Sequence, residues 1–598
     1  MERPLSFLLV ALFVSALILQ IPQAFPASSG GSLQLTGEVL GWDAVNITWT
    51  QVNGTRAYLV YRSESFENLL ADENLIAVVN WSKYPEYHRG WSYLPNETVE
   101  YNGSIWVALK LTNSPPGGEG WKRVGPVIPV NYYSDSSLEG NKTYYYAVIP
   151  LFENNKKGKP SNSLKVRTPP EPYRIVVYYI SWGVYARKFY VSDIPYENVT
   201  HVLYAFLRPL ENGTVTWADP WADPSNLEAL GEFKKHYPAV KVLVSVGGWT
   251  LSKYFSDIAA DPAKREEFAN SVLRIIRRYG FDGVDVDWEY PGGGGMKSNH
   301  VRPDDGKNFV LLMKKLREVL DNAGKEDHKH YLITAAVSPN PEIAGRVNWS
   351  DAMKYIDFIN VMAYDFIGLW SNCTGHNAPL YKNPTSPVPG SVDEAVRWYT
   401  SRIPPEKVVL GLPFYGRSFA NVPLVNHGLF QPYNGTPDGT WGSAAETHGV
   451  MDYWDIADRV DSGTYQEFWD NYSLVPWAYS EKLGIFITYD DPRSVRIKTE
   501  YAINNTLGGV MVWEITADRK PGTAQHPLLE AILDALEEKP PAWIPDEYSL
   551  GSKAPQQFTV EEPKIGPVPA STSPPQRSTC GPSVLVLITI LAAAFRKR

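Results

Sequence analysis

The stretch Phe281-Asp-Gly-Val-Asp-Val-Asp-Trp-Glu-Tyr-Pro291 sets Asp285, Asp287 and Glu289 two residues apart, with Val284, Val286 and Trp288 among them. On a β-strand successive side chains point to opposite faces, so the three carboxyls share one face and the apolar residues the other. Carboxyls crowded on one buried face repel each other and drive each other's pKa upward. A carboxyl kept protonated near neutral pH is what a general acid requires. Glu289 has the longest side chain and lies nearest the strand's C-terminal end, which makes it the natural proton donor. Spacing alone leaves two other readings open, a metal site and a buried network satisfied by Arg and Tyr.

Such a strand needs a scaffold, and the surrounding pattern supplies one. Eight strand-like segments, Arg174–Ile180, Thr200–Phe206, Val240–Val246, Gly283–Glu289, Leu332–Val337, Phe358–Tyr364, Val408–Pro413 and Gly509–Trp513, alternate with helical patterns. The clearest helix runs from Asp261-Pro262 to Gly280, with Asp as N-cap, Pro in the first turn and Gly past the end. This α/β alternation over residues 172–537 reads as a (β/α)8 TIM barrel with its site at the strand C-termini. A Gly-, Tyr- and Trp-rich stretch at about 417–490 reads as a small α+β insertion walling a cleft.

Residues 33–168 read differently, as short alternating runs (Asn46–Thr50, Tyr58–Arg62, Thr143–Leu151) between Gly, Asn and Ser turns, the pattern of a β-sandwich. An aromatic-rich stretch at 81–125 interrupts it and holds Trp91, Tyr101, Trp106 and Trp121. A module of about 45 residues can hardly bury that many large rings, so a binding role is favoured over a small core.

The termini look like processing signals. Residues 1–27 hold an apolar run, Leu5–Ile21, ahead of Ala24, Ala27 and Ser28, the layout of an export leader. Pro, Ser and Thr dominate 538–579, a flexible stalk. Residues 580–598 run from Cys580-Gly-Pro582 through Val584–Phe595 to Arg596-Lys-Arg598. That apolar run is short of the roughly 20 residues of an unaided helical span. The expected location is extracellular, secreted or attached to the cell surface. The two cysteines, Cys373 and Cys580, are not expected to pair.

Composition narrows the class. With 44% hydrophobic and 20% charged residues the chain is globular, and a net charge of −9 gives no electrostatic reason to bind nucleic acid. The 20 Trp and 36 Tyr suit stacking on sugar faces or large cores alike.

Several motifs carry a resemblance. Asp282, Asp285, Asp287 and Glu289 match the Asp-x-x-Asp-x-Asp-x-Glu signature of family 18 glycoside hydrolases. Ser245-Val-Gly-Gly248-Trp249, Met362-Ala-Tyr364-Asp365, Pro413-Phe-Tyr415-Gly-Arg417 and Trp513-Glu514 match that family's motifs on strands three, six, seven and eight. The resemblance implies a chitinase acting on chitin and chitooligosaccharides by substrate-assisted retaining catalysis, without cofactor or metal. Glu289, Asp287, Asp285 and Tyr364 would be catalytic, while Phe206, Trp249, Tyr290, Met362, Asp365, Tyr415, Arg417 and Trp513 would bind substrate. Its alternatives are a chitin lectin, which would lack the acid, and an endo-β-N-acetylglucosaminidase acting on glycoprotein glycans. Leu138-Glu-Gly-Asn-Lys-Thr-Tyr144 resembles the tyrosine corner of fibronectin type III modules, and 81–125 resembles small type 5/12 chitin-binding modules. The tail resembles archaeal sorting signals that begin Cys-Gly-Pro. A monomer is expected.

Overall fold

The computed structural model describes residues 33–540 except 81–92, 443–447 and positions 94, 97, 103, 111, 113, 127, 128, 137, 153, 154 and 328. The leader, the tail and nearly all of the 538–579 stalk lie outside the described residues, as does Trp91.

The strands before the barrel are β1 (Leu35–Gly41), β2 (Ala44–Trp49), β3 (Thr55–Ser63), β4 (Leu75–Val79), β5 (Thr98–Tyr101), β6 (Ser104–Ala108), β7 (Trp121–Pro126), β8 (Tyr132–Asp135), β9 (Thr143–Phe152) and β10 (Leu164–Arg167). β1, β2 and β8 form one antiparallel sheet, β3, β4, β9 and β10 a second, and inward residues of both, including Ile47, Trp49, Tyr58 and Tyr146, make one core. β5–β7 form a separate sheet in the excursion from β4 to β8. The Glu139 N–H donates to the Tyr144 hydroxyl at 2.9 Å, pinning the turn into β9.

Next come β11 (Arg174–Ile180), β12 (His201–Pro209), β13 (Val215–Trp217), β14 (Lys241–Gly247), β15 (Gly283–Asp287), β16 (Leu332–Val337), β17 (Phe358–Val361) and β18 (Val408–Pro413). β19 (Tyr415–Phe419), β20 (Val450–Asp452), β21 (Gln466–Asp470), β22 (Val475–Ser480) and β23 (Ile485–Thr488) make a five-stranded antiparallel sheet, and β24 (Gly509–Trp513) follows. β11, β12, β14–β18 and β24 pair in parallel and close on one another through β11 and β12, which makes the (β/α)8 barrel. Strands such as Arg174–Ile180 are almost wholly apolar because helices cover one face and the barrel core the other. The helix Pro262–Tyr279 is built as its caps dictate: the Asp261 carboxylate accepts the N–H of Ala263 at 2.8 Å, and Gly280 closes it at φ 73°.

The fourth strand is shorter than its sequence pattern. Pairing of β15 stops at Asp287, opposite Gly247, whose φ of 114° turns β14 away. Glu289 therefore stands beyond the ladder, at the barrel mouth. Similarly, the sheet of the expected insertion begins at Tyr415, two residues early.

The sandwich seats on the opposite end of the barrel. Asp43, in the β1–β2 turn, pairs with Lys241 at the start of β14, and both side chains are nearly buried. Lys234 and Asp282 meet beside them at 2.9 Å, and the Lys241 ammonium lies 5.5 Å from the Trp42 ring centre. Removing one partner of a buried pair strands the other charge, at a cost of about 3–5 kcal/mol. Asp43→Ala is therefore expected to lower the melting temperature by several degrees, and Asp43→Leu with Lys241→Met to recover most of it. Calorimetry checks both; an unchanged single variant contradicts the pairing.

Candidate active site

The barrel register delivers the carboxyls as the period-two pattern requires. Ser245 stands opposite Asp285 on one side and Thr334 on the other. Asp285 is fully buried and accepts from Tyr178 (2.8 Å), Ser245 (2.7 Å), Thr334 (2.6 Å) and Asn360 (3.4 Å), side chains of four different strands. Trp288 points outward, stacking on Phe255 at 5.6 Å under the helices. Four donors aimed at one carboxylate describe an anion held by hydrogen bonds rather than one offered to a cation. Among the described residues no group of three His, Cys, Asp or Glu side chains is placed to hold a metal ion.

The four signature acids have different fates. Asp282, at the strand's base, would be pushed up by burial, but Lys234, Lys241 and Lys329 outweigh that and hold it below the usual carboxylate range. Burial raises Asp285 against the pull of its four donors. Asp287 is raised well above the ordinary range by burial and by the charges of Glu289 and Asp285; its Oδ1 is buried without a hydrogen-bond partner among the described residues. Glu289 is pushed up to about 7, chiefly by burial and further by Asp365, against the pull of the Tyr290 hydroxyl. Burial thus favours the protonated form of Glu289 beside an acceptor of Asp287 that has no donor among the described residues.

Around them lie the other residues read from the sequence. Phe206 and Trp513 stack at 5.5 Å and 22°, with Tyr178 edge-on to Trp513 at 5.2 Å. Tyr364 and Tyr415 meet edge to face at 6.1 Å. Asp365 accepts from Tyr415 (2.5 Å) and Arg417 (2.7 Å), which fixes its carboxylate at the edge of the site. Met362 and Tyr290 are half-buried, and Trp249 is 47% exposed at the end of strand three. Gly247 and Gly248 are required by close approach. A Cβ on Gly247 would stand 2.3 Å from the Asp287 carbonyl oxygen, and one on Gly248 2.7 Å from the Phe206 ring. The bonds Ala205–Phe206 within β12, Glu289–Tyr290 just past β15 and Trp513–Glu514 at the end of β24 are cis peptides.

The small three-stranded sheet requires a correction. Trp121 is only 8% exposed, edge-on to Tyr93 at 5.3 Å, with its indole N–H donating to the Ser114 carbonyl at 2.7 Å. Its ring belongs to a miniature core with Val99 and Ala108, so it is not a stacking surface. Tyr101 and Trp106 remain half-buried. His376, in the loop after strand six, is buried between Phe430 and Trp477 and bonds Asp470 at 3.0 Å.

Sequence reasoning missed two groups. Tyr178, Thr334 and Asn360 hold Asp285, and the signal for them was a polar atom at an inward position of an otherwise apolar strand. The exposed rings of Trp182, Trp221 and Trp370, the second 88% exposed, sit on loops past strands one, two and six. Arg187, in the loop after strand one, reaches Asp452 of β20 at 3.2 Å and covers Trp441 at 4.9 Å, mooring the insertion to the mouth.

Fold and site together define a (β/α)8 barrel with a cluster of buried carboxyls at its mouth. The model of the family described as Glycosyl hydrolases family 18 matches residues 174–518, more than half of the chain, and the chain belongs to that family. Chitinase A1 of Niallia circulans is 36% identical over 416 residues, covering 60% of this chain and 59% of that relative. Endochitinase 1 of Metarhizium robertsii is 34% identical over 372 residues, covering 58% and 82%. The Group IV chitinase of Ostrinia furnacalis in complex with allosamidin superposes with a TM-score of 0.57 at 34% identity, over 61% of this chain and 99% of that one.

Proposed function

We propose that this family 18 hydrolase cleaves β-1,4 linkages between N-acetylglucosamine units of chitin, with the substrate's own acetamido group as nucleophile. The observation that carries the reading is the buried Oδ1 of Asp287, unpartnered among the described residues, beside Glu289, whose carboxyl burial pushes up to about 7. A double displacement through an enzyme carboxylate needs two carboxyls on opposite sides of the scissile bond. Here Asp287 ends the strand that leads into Glu289, Asp285 is saturated by donors, and Asp365 is engaged by Tyr415 and Arg417. What Asp287 lacks is an N–H, which an acetamido group brings.

Glu289 donates its proton to the glycosidic oxygen as the C1–O bond breaks, while the acetamido carbonyl oxygen bonds to C1 and closes an oxazolinium ring. Asp287, its own proton shared with Asp285, accepts the ring N–H and offsets its positive charge. Tyr364 donates to the attacking carbonyl, and Trp513 floors the sugar. Water then attacks C1, Glu289 takes its proton, and the ring opens with the anomeric configuration retained.

The exposed rings at the mouth suit a long chain better than a compact glycan, because each can stack on a further sugar. The N-terminal part, read as a fibronectin-like sandwich carrying a small chitin-binding sheet, would hold insoluble polymer. The leader-like pattern at 1–27 and the tail pattern at 580–598 support a location outside the cell or on its surface. The reading is tested with soluble chitin oligomers and insoluble chitin, both of which should be cut. Trp106→Ala should reduce adsorption to, and hydrolysis of, the insoluble form several-fold while sparing oligomers. Folded protein that cuts neither contradicts the function; equal adsorption contradicts only the module's role.

A further inference from the structure

The peptide unit of Glu289 lies outside the β-ladder, which ends at Asp287, yet the carboxyl it carries must be placed to within a fraction of an ångström. Two side chains from other segments hold it. The Glu289 N–H donates to Ser252 Oγ at 2.9 Å, and Ser252 Oγ lies 3.1 Å from the Asp287 carbonyl oxygen and 2.9 Å from that of Gly248, to either of which it donates. On the other side the Glu289 carbonyl accepts from Asn299 Nδ2 at 2.9 Å. Gly295 packs so closely there that any Cβ would fall 1.9 Å from that oxygen. Ser252 is wholly buried, and Asn299 Oδ1 is itself buried with no partner among the described residues. The two clamps are tied together, since the His300 N–H donates to the Lys253 carbonyl at 3.0 Å.

We infer that Ser252 and Asn299 are positioning residues for the catalytic acid, replacing the missing ladder and holding the Glu289 carboxyl in the buried setting beside Asp287. Neither touches substrate; both act through the Glu289 backbone. Ser252 also bridges the Asp287 and Glu289 peptides, so it fixes the mutual placement of the two carboxyls whose charges oppose each other. The inference rests on Glu289 being the acid. Loss of either clamp lets the peptide relax toward solvent, which lowers kcat and brings the Glu289 carboxyl back toward the range of an ordinary glutamate.

The test is the pH dependence of kcat on a soluble chitin oligomer for Ser252→Ala and Asn299→Ala in the full chain. Expected is a ten- to hundredfold loss in kcat with KM within about twofold, and a basic limb displaced to lower pH. Asn299 is only half-buried, so its variant serves where Ser252→Ala does not fold. A basic limb that stays in place in the folded variants overturns the inference, whatever happens to kcat. Failure of the underlying reading is separate, because it shows as persistent activity in Glu289→Gln.

Discussion

Glu289→Gln is expected to lower kcat on chitin oligomers by about 10²- to 10⁴-fold while leaving their affinity nearly unchanged. The amide keeps the side chain's size but has no proton to give to the leaving oxygen and cannot deprotonate water afterwards. Binding survives because it rests on other groups, among them the Phe206–Trp513 floor and the Asp365–Arg417 pair. The wild-type pH profile follows from the same group. Burial pushes Glu289 up to about 7 in the free enzyme, so kcat/KM should fall about tenfold per unit above that value. Oligomer binding by calorimetry and turnover by reducing-end release separate the two effects. A variant with more than a few per cent of wild-type turnover at neutral pH removes Glu289 from its role.

A still larger effect is expected from changing the substrate. Polymers without the acetamido group, such as cellulose or fully deacetylated chitosan, carry no internal nucleophile. An oriented intramolecular nucleophile is worth about 7–11 kcal/mol of the barrier, equivalent to an effective molarity of 10⁵–10⁸ M, and on the proposed reading no enzyme carboxyl replaces it. Hydrolysis of these polymers should fall below detection in assays that register chitin oligomers within minutes. A thiazoline mimic of the cyclic intermediate should inhibit competitively, since the proposed mechanism has Asp287 and Tyr364 hold its ring.

How far the sequence foretold this depends on the kind of signal. The carboxylate strand was legible because charge at period two on a barrel strand has few structural explanations, and the register put Asp285 and Asp287 inward as that period requires. The helix Pro262–Tyr279 was legible because its capping chemistry is local. The partners of Asp285 were not, because Tyr178, Thr334 and Asn360 are single polar residues in apolar strands and meet only when the barrel closes. Motif spacing equally could not tell that β15 stops at Asp287, since that depends on the backbone turn at Gly247 in the neighbouring strand. Trp121 shows the limit of composition. Many aromatics in a small module imply either a binding face or a core, and only the packing against Tyr93 decides for the core. The rings of Trp182, Trp221 and Trp370 gave no pattern because loops have no period.

The measurement that bears most directly on the proposed chemistry is the anomeric configuration of the first product. Attack by the acetamido oxygen inverts C1, and attack by water inverts it again. Proton NMR of a chitin oligomer within the first minutes of digestion, before mutarotation, should therefore show the β-anomer at the new reducing end. Initial release of the α-anomer would contradict the acetamido nucleophile and the role given to Asp287, even with Glu289 acting as the acid.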